Sequence, residues 1–288
     1  DTGFSVANSC RFNDGDSPYM HITPAGDGNM KTFTISMWLK ISTTQSADEG
    51  GGYLMMAGTD AGTPRTAIAL GTNTIDIQHY TGSAYTTRVT TNRIMRDPSA
   101  WWNLVVAFDT TQGTASNRVK IYVNGAQETS LSSTTYQDED GLFFFNDASY
   151  KVFLGTYRNS SYFYDGYMAE VCLVDGSALA PTSFGEFSED SPNVWIPKDV
   201  SGLTFGTNGF YLDFEASDNL GNDVNGGTDL TEVNLAAADQ ATDSPTNNFA
   251  TMNPLDNYYA SSTFSEGNCT IVQGSSTYAW NLSTIAVT

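Results

Sequence analysis

The chain has 288 residues, 40% of them hydrophobic, and 12 Lys and Arg against 32 Asp and Glu give a net charge of −20 at pH 7. Enough apolar residues are present to bury a core, which excludes a disordered chain, and the length fits two domains or one β-sandwich with extensions. So acidic a chain excludes nucleic acid and anionic membrane surfaces as partners, because both attract a basic face, and no apolar run approaches the ~20 residues that span a bilayer.

Apolar and polar residues alternate with a period of two through the first 180 residues, which predicts strands. The pattern is found, in chain order, in KTFTISMWLKIS, NTIDIQHY, WWNLVVAFD, RVKIYVNG, KVFLGTY and GYMAEVCLVDG. Asn124-Gly125 is a strong hairpin signal, whereas a helical pattern is confined to a short turn near residues 178–187. Many strands separated by turn residues predict an all-β fold, an antiparallel β-sandwich or jelly roll, over residues 1–180.

The composition changes after about residue 180. Residues 181–254 are rich in Asp, Asn, Gly and Thr and contain one clear strand, GFYLDFE. Five apolar residues recur there, more than a free linker would carry: Leu220, Val224, Leu230, Val233 and Leu235. We therefore expect an irregular but ordered extension that wraps the sandwich or bridges to a neighbour. Residues 255–288 regain strand patterns in CTIVQG and STIAVT, and are either the start of a second β module or strands exchanged with a partner subunit.

Four stretches resemble, in this order, the laminin-G-like domains of the concanavalin-A-like lectin superfamily. They are CRFNDGDSPYMHI, FTISMWLKI, WWNLVVAFDTT with RVKIYVNGAQ, and FLGTYRNSSYFYDGYMAEVCLVDGSAL, and together they cover about residues 4 to 180. The resemblance implies a concanavalin-A-like sandwich with a lectin-type role in recognition.

The later part of the chain narrows the resemblance. DGSALAPTSFGEF, GTNGFYLDF, DSPTNNFATMNPLD and STYAWNLSTIAV resemble a group of marine bacteriophage virion proteins, in which such a sandwich is followed by this extension and a SPRY-like domain. This implies a virion surface protein, a tail fibre or adhesin, on an extracellular particle. Its implied partners are other virion subunits and a cell-surface glycan, and its implied assembly is a homotrimer. A capsid decoration protein that binds only virion subunits is the first alternative.

A polysaccharide-degrading enzyme is the second alternative, but the sequence carries no catalytic motif for it. Laminarinase-type members of the fold carry E-x-D-x-E, which places two glutamates on one face of a strand at about the ~5 Å that a retaining glycosidase needs. That spacing is missing, as are the G-x-S-x-G and G-x-x-x-x-G-K motifs. His79 lies in strand alternation and is expected to be packed. We therefore expect no catalytic residues and no enzyme.

Aromatic and polar side chains on loops predict a sugar site, because sugars stack on aromatic faces and bond to polar groups. The loop at 157–167 is dense in tyrosines, and a second group surrounds His79. The candidates are Tyr80, Tyr85, Arg158, Asn159, Tyr162 and Tyr164. The alternative is that these rings pack the sandwich edge or a subunit interface. Of the run Phe143-Phe144-Phe145, at least one ring is expected to meet a neighbour or the extension.

Laminin-G-like modules often hold one calcium ion at the rim of the sandwich, so the resemblance implies Ca²⁺ as a cofactor. Its ligands here would be Asp14 and Asp16, with Asn13, from the first turn and Asp165 before the last strand. A second acidic group comprises Asp218, Asn222, Asp223, Asn225 and Asp229. The alternative for both is a solvated turn whose Asp and Asn side chains bond their own backbone.

The chain has three widely spaced cysteines, Cys10, Cys172 and Cys269. Strand alternation places Cys10 and Cys172 on opposite faces of their strands. A disulfide between them is therefore disfavoured, and we expect free thiols.

Overall fold

A computed structural model describes residues 3–43, 52–158, 161–257, 262–273 and 280–285. The first thirteen strands are β1 (Ser9–Phe12), β2 (Tyr19–Ile22), β3 (Thr32–Ile41), β4 (Tyr53–Gly58), β5 (Arg65–Gly71), β6 (Thr74–Tyr80), β7 (Tyr85–Ile94), β8 (Trp102–Asp109), β9 (Val119–Val123), β10 (Ala126–Gln127), β11 (Leu131–Thr135), β12 (Lys151–Leu154) and β13 (Gly166–Asp175). The remaining nine are β14 (Gly185–Phe187), β15 (Trp195–Pro197), β16 (Phe210–Leu212), β17 (Thr231–Val233), β18 (Gln240–Ala241), β19 (Met252–Asn257), β20 (Thr263–Ser265), β21 (Thr270–Val272) and β22 (Asn281–Ser283).

The only helical elements in the described ranges are single 3₁₀ turns, at Asp14–Asp16, Ala115–Asn117, Pro181–Ser183 and Ala237–Asp239. None of these described turns is long or apolar enough to cross a membrane. The predicted all-β fold is confirmed, and the short turn expected near residues 178–187 is the one that begins at Pro181.

Two eight-stranded antiparallel sheets form the sandwich. The first sheet has the order β10-β9-β8-β3-β13-β1-β18, with β16 also paired to β13. The second has the order β11-β7-β6-β5-β4-β12-β2-β17. Because consecutive side chains of a strand point to opposite faces, each strand gives alternate residues to the core and to an outer face. Three further two-stranded sheets, β14-β15, β19-β22 and β20-β21, complete the described elements.

The core lies between the two sheets and is built by the predicted alternation. On β3, Phe33, Ile35, Met37, Leu39 and Ile41 are at most 1% exposed and face the second sheet. The rings of Phe33 and Phe108 stack with their centroids 4.4 Å apart.

The run of three phenylalanines divides between the core and its margin. Phe143 and Phe145 are buried in the core, whereas Phe144 is half-buried and packs its ring 4.2 Å from that of Tyr150 and 4.6 Å from that of His79. The ring left out of the core therefore contacts the sandwich itself, where a neighbour or the extension was expected.

The extension contributes strands to both sheets. β16 pairs with β13, β17 pairs with β2 and β18 pairs with β1. Phe184, Val200 and Phe205 of the extension pack with Tyr211 against the outer side of the first sheet. This cluster covers Cys172 and Val174 of β13, and Val6 and Trp195 pack around Ala169, so that all ten residues of β13 are buried. Hydrogen-bonded sheet therefore continues past residue 180, where the composition changes.

A buried ion pair fastens the end of the extension. The Nζ atom of Lys40 lies 2.7 Å from Oδ2 of Asp243, and these side chains are 1% and 5% exposed. Nζ also donates to Oδ1 of Asn248 and to the carbonyl of Phe249, each at 2.8 Å. Asp243 in turn accepts a hydrogen bond of 2.8 Å from Nε1 of Trp101.

After residue 250, the described strands pair with one another in the same chain, β19 with β22 and β20 with β21. The turn between β20 and β21 contacts the rim of the sandwich, because Tyr167 donates a 3.0 Å hydrogen bond to the carbonyl of Gly267, and Arg11 lies 2.7 Å from Glu266.

All three cysteines are free. Cys10 points into the core between the sheets, and Cys172 points to the opposite, outer side of its sheet beneath the extension. The expectation of opposite faces, and hence of free thiols, is confirmed.

Candidate functional site

The two groups of tyrosines that appear separate in the sequence converge on the outer face of the second sheet. They surround one arginine, Arg65, at the start of β5. We call this surface the tyrosine face and define it by Tyr53, Tyr80, Tyr85, Tyr157 and Tyr162 with Arg65 and Arg158.

Strand register brings the first part of the tyrosine face together. Arg65 pairs with Tyr80 across β5 and β6, and Tyr80 pairs with Tyr85 across β6 and β7. On β5 the even-numbered residues from 66 to 70 face the core, so Arg65 shares the outer face with two alanines, Ala67 and Ala69. Their small side chains leave room for the long arginine and the rings around it.

Arg65 is only 7% exposed and is held by aromatic rings and neutral oxygens. Its Cζ lies 5.1, 5.6 and 5.2 Å from the ring centroids of Tyr80, Tyr85 and Tyr157, within the range of cation–π attraction. Its Nε and Nη2 donate to Oε1 of Gln78 at 3.1 and 2.9 Å, and Nη2 also donates to the Tyr85 hydroxyl at 2.9 Å. These contacts fix the guanidinium plane.

The loop after β12 supplies the second part of the tyrosine face. The ring of Tyr157 lies 4.7 Å from that of Tyr53 and 5.5 Å from that of Tyr162. The Tyr157 hydroxyl donates to the carbonyl of Gly62 at 2.9 Å. Gly62 has φ +75°, and a Cβ atom there would lie 2.5 Å from Cζ of Tyr157. Glycine at this position thus permits both the turn and the approach of the ring.

Arg158 extends the face toward solvent. Its Cζ lies 5.5 Å from the Tyr157 ring centroid, and its Nε and Nη1 donate to Oγ of Ser161 at 3.0 Å and to the carbonyl of Ala61 at 3.2 Å. Arg158 is half-buried, while Tyr85 and Tyr162 are 37% and 43% exposed. Asn159, the remaining candidate of this loop, lies outside the described residues.

Tyr164 does not belong to the face, contrary to the expectation from the sequence. Adjacent residues of extended chain point to opposite sides, so Phe163 joins the outer cluster while Tyr164 enters the core. Tyr164 is fully buried, and its hydroxyl lies 3.1 and 3.2 Å from the carbonyl oxygens of Lys40 and Tyr167. Burial raises the pKa of this hydroxyl well above its usual value. No sugar can reach this ring.

At the rim, Asp14 and Asp165 are neighbours. Burial, and next the charge of Asp14, raise the pKa of the Asp165 carboxyl to about 7. Asp16 instead accepts a 2.8 Å hydrogen bond from the side-chain amide of Asn13, which also lies 3.3 Å from Oε1 of Glu266. Over the described ranges, no group of three or more acidic, His or Cys side chains is placed to hold a metal ion. The fit to calcium is therefore partial, since Ca²⁺ takes six to eight oxygens.

The second acidic group bonds its own backbone. The Asp223 carboxylate accepts hydrogen bonds of 2.9 to 3.0 Å from the backbone N–H groups of Tyr211, Asn225 and Gly227. Asp229 accepts from the backbone N–H of Asp223 at 3.0 Å. The bonding to backbone agrees with the alternative to a calcium site, but the turn is not solvated at Asp223, which is only 4% exposed.

Two other buried ionisable groups lie away from the tyrosine face. His79 is 3% exposed, and burial lowers its pKa to about 4, so it is a packed residue as expected. Glu170 lies at an irregularity of β13 with φ 50°, and Tyr211 donates a 2.7 Å hydrogen bond to its Oε2. Burial beneath the extension is the main reason that the pKa of Glu170 rises to about 8.

Sequence reasoning missed Arg65, Gln78 and Tyr53 as parts of the face. The available signal was the alternation of side chains between the two faces of each strand. Gln78 and Tyr80 share the polar side of NTIDIQHY, and Arg65 opens an otherwise apolar strand, RTAIALG. Which strands are neighbours, however, follows from the sheet order and not from local pattern.

One family profile matches the part of the chain that contains most of the sandwich. The sequence profile of the concanavalin A-like lectin/glucanases superfamily matches residues 14–182. No curated protein sequence matches the chain.

Three solved structures are similar at low identity. A heptameric SAP-like pentraxin from Limulus polyphemus has 12% identity and a TM-score of 0.42, over 62% of this chain and 80% of the pentraxin. The LG1-3 region of the laminin α2 chain has 14% identity and a TM-score of 0.43, over 67% of this chain and 34% of that fragment. Domains LG4-5 of the mouse laminin α1 chain have 13% identity and a TM-score of 0.40, over 67% of this chain and 46% of theirs. With the profile covering more than half of the sequence, the chain belongs to the concanavalin A-like lectin/glucanases superfamily.

Proposed function

We propose that this protein is a non-enzymatic glycan-binding protein whose ligand stacks on the tyrosine face. The observation that carries the proposal is the convergence of five tyrosines around Arg65 on one outer sheet face. Two of the rings, Tyr85 and Tyr162, are more than a third exposed, and their neighbours are fixed by hydrogen bonds and ring contacts. Rigid rings with polar groups between them suit sugars, which present apolar faces edged by hydroxyls.

A glycan array with the parent protein and two variants tests the proposal. Tyr162→Ala and Tyr85→Ala each remove an exposed ring and should weaken binding about tenfold or more, which corresponds to about 1.4 kcal/mol. Phe187→Ala is the matched control, because Phe187 is an exposed ring (54%) on β14 in the extension. Equal loss in all three variants, or no bound glycan for the parent, would contradict the proposal. Release of reducing ends from a bound polysaccharide would support the enzyme alternative instead.

We further propose that the protein acts on the surface of a phage particle, as a tail fibre or adhesin that brings this face to the host. The support is the resemblance of the extension and C-terminal segments to marine bacteriophage virion proteins. A homotrimer is the proposed assembly. Light scattering of the purified chain and a map of the intact virion test the two points, and a monomer or a position inside the capsid would contradict them.

A capsid decoration protein that binds only virion subunits is the second candidate. It is favoured by the apolar side chains that the described C-terminal part leaves more than 40% exposed: Phe249, Leu255, Val272, Trp280, Leu282 and Ile285. Such residues on a soluble surface often mark contacts with another protein. Stable binding to purified capsids, together with an empty glycan array, would favour this candidate over an adhesin.

Calcium remains a proposal for the rim, with Asp14 and Asp165 as the carboxylate ligands. Burial, and next the charge of Asp14, raise the pKa of Asp165, and a bound cation would offset both costs of ionising this carboxyl. At pH 8, calcium should raise the melting temperature of the parent and a chelator should reverse the rise, whereas Asp165→Asn should not respond. A parent that is indifferent to both additions would end the proposal.

A further inference from the structure

The tyrosine face brings together two arginines that have no described acidic partner. Most basic side chains in the described ranges pair with a carboxylate: Arg11, Lys31, Lys40, Arg88, Arg93, Arg118 and Lys151. Five basic side chains pair with no described carboxylate: Arg65, Arg96, Lys120, Arg158 and Lys198. Of these, Arg65 and Arg158 both belong to the tyrosine face. Both guanidiniums lie near the same ring, with Cζ atoms 5.2 and 5.5 Å from the centroid of Tyr157.

Arg65 is the more unusual of the two because it is 93% buried by its neighbours. The carboxylate connected to it, Asp76, reaches it only through the amide of Gln78, whose Nε2 donates to Oδ2 of Asp76 at 2.8 Å. Asp76 is itself shared with Arg88 at 3.3 Å and Thr90 at 2.8 Å. One carboxylate thus serves two guanidiniums, that of Arg88 directly and that of Arg65 through an amide. A buried charge lacking a partner is costly, and an incoming anion would offset that cost.

Hydrogen-bond donors remain available at the edge of the face. Nη2 of Arg158 makes no hydrogen bond to a described residue, since the other two nitrogens make the bonds to Ser161 and Ala61. The Tyr85 hydroxyl accepts from Arg65 and donates to no described acceptor. A fixed guanidinium with an unused edge suits an oxyanion, because arginine presents its N–H groups in the planar fork that carboxylates and sulfates accept.

We propose that the ligand of the tyrosine face is an anionic saccharide, whose carboxylate or sulfate group accepts hydrogen bonds from Arg158 and is attracted by the unbalanced charge of the buried Arg65, while the sugar ring stacks on Tyr85 and Tyr162. This rests on the proposed function, that the face binds a glycan at all. The tyrosine rings favour a sugar of any charge, whereas the two arginines favour one with a negative charge.

Matched polysaccharide pairs test the charge. Oligogalacturonate and its carboxyl-reduced counterpart differ only in the carboxylate, and dextran sulfate and dextran differ only in the sulfate. Affinity is measured by calorimetry at 50 mM and 300 mM salt for the parent, Arg158→Gln and Arg96→Gln. Arg96 is exposed beyond the far end of β7, so Arg96→Gln removes the same charge away from the face.

We expect the parent to bind the acidic member of at least one pair about tenfold tighter than its neutral partner, and higher salt to reduce that difference. Arg158→Gln should lose most of the preference, and Arg96→Gln should keep it. Arg65→Gln serves as a second variant, because it removes the buried charge that no carboxylate balances, and it should weaken the acidic ligand more than the neutral one.

The outcomes separate the two proposals. Equal binding of acidic and neutral members, or loss of preference in Arg96→Gln as much as in Arg158→Gln, overturns the anionic saccharide while leaving glycan binding intact. Preference within only the galacturonate pair assigns a carboxylate, and within only the dextran pair a sulfate. A parent that binds none of these polymers and no glycan of the array overturns both proposals.

Discussion

Removing Asp243 tests whether the extension is part of the folded sandwich. Asp243→Ala leaves the Lys40 ammonium 1% exposed with two neutral acceptors, Asn248 and the carbonyl of Phe249. It also deprives Trp101 of its acceptor. Breaking a buried ion pair on one side costs about 3–5 kcal/mol. At roughly 2–4 °C per kcal/mol for a domain of about 150–250 residues, the melting temperature should fall by about 6–20 °C.

Urea unfolding and a melting curve measure the effect, and limited proteolysis reports whether residues after 240 are released. Lys31→Met is the control, because the Lys31–Asp140 pair has side chains 39% and 62% exposed, and such pairs contribute at most about 1 kcal/mol. The double variant Lys40→Met with Asp243→Leu should be less destabilised than the sum of its single changes, since neither charge is left alone. If Asp243→Ala lowers the free energy of unfolding by less than about 1 kcal/mol, the Lys40–Asp243 ion pair does not hold the extension on the sandwich.

Three further changes have expected outcomes. Gly62→Ala should lower glycan affinity, because the added methyl group displaces the Tyr157 ring. Gly113→Ala is the control, because there is open space around Gly113. Equal affinities of the two variants would contradict the packing of Tyr157 against Gly62. Tyr164→Phe should lower the free energy of unfolding by about 1 kcal/mol, because a hydrogen bond is lost, and should leave glycan binding on the array unchanged. Altered glycan binding would show that Tyr164 contributes to the site. Glu170 has a pKa raised from 4.5 to about 8, so the folded chain binds the extra proton, and stability should fall as the pH rises through that window. Melting curves from pH 5 to 9 should show a weaker decline for Glu170→Gln, and identical slopes would refute the burial of this carboxyl.

Alternation was sufficient to predict the two sheets and most of their core faces. Phe33 to Ile41 on β3 and the opposite orientation of Cys10 and Cys172 follow from a period of two alone. The same rule applied to the loop after β12 would have separated Phe163 from Tyr164. The density of aromatic residues identifies that loop, but the alternation of side chains along the chain determines which of its rings are exposed.

The centre of the tyrosine face was not predictable in the same way. Arg65 meets Tyr80 across neighbouring strands, but it meets Tyr157 across 92 residues, and the Gly62 turn brings them together. Likewise Lys40 and Asp243 are 203 residues apart. Such contacts depend on sheet order and on a wrapping extension, which local periodicity does not encode.

The most direct measurement of the central claim is a crystal structure of the protein with the oligosaccharide that binds it best. We predict that a sugar ring lies flat against Tyr85 or Tyr162 on the outer face of the second sheet, with an acidic group within hydrogen-bonding distance of Arg158. A sugar bound elsewhere, with the tyrosine face free of it, would contradict the account.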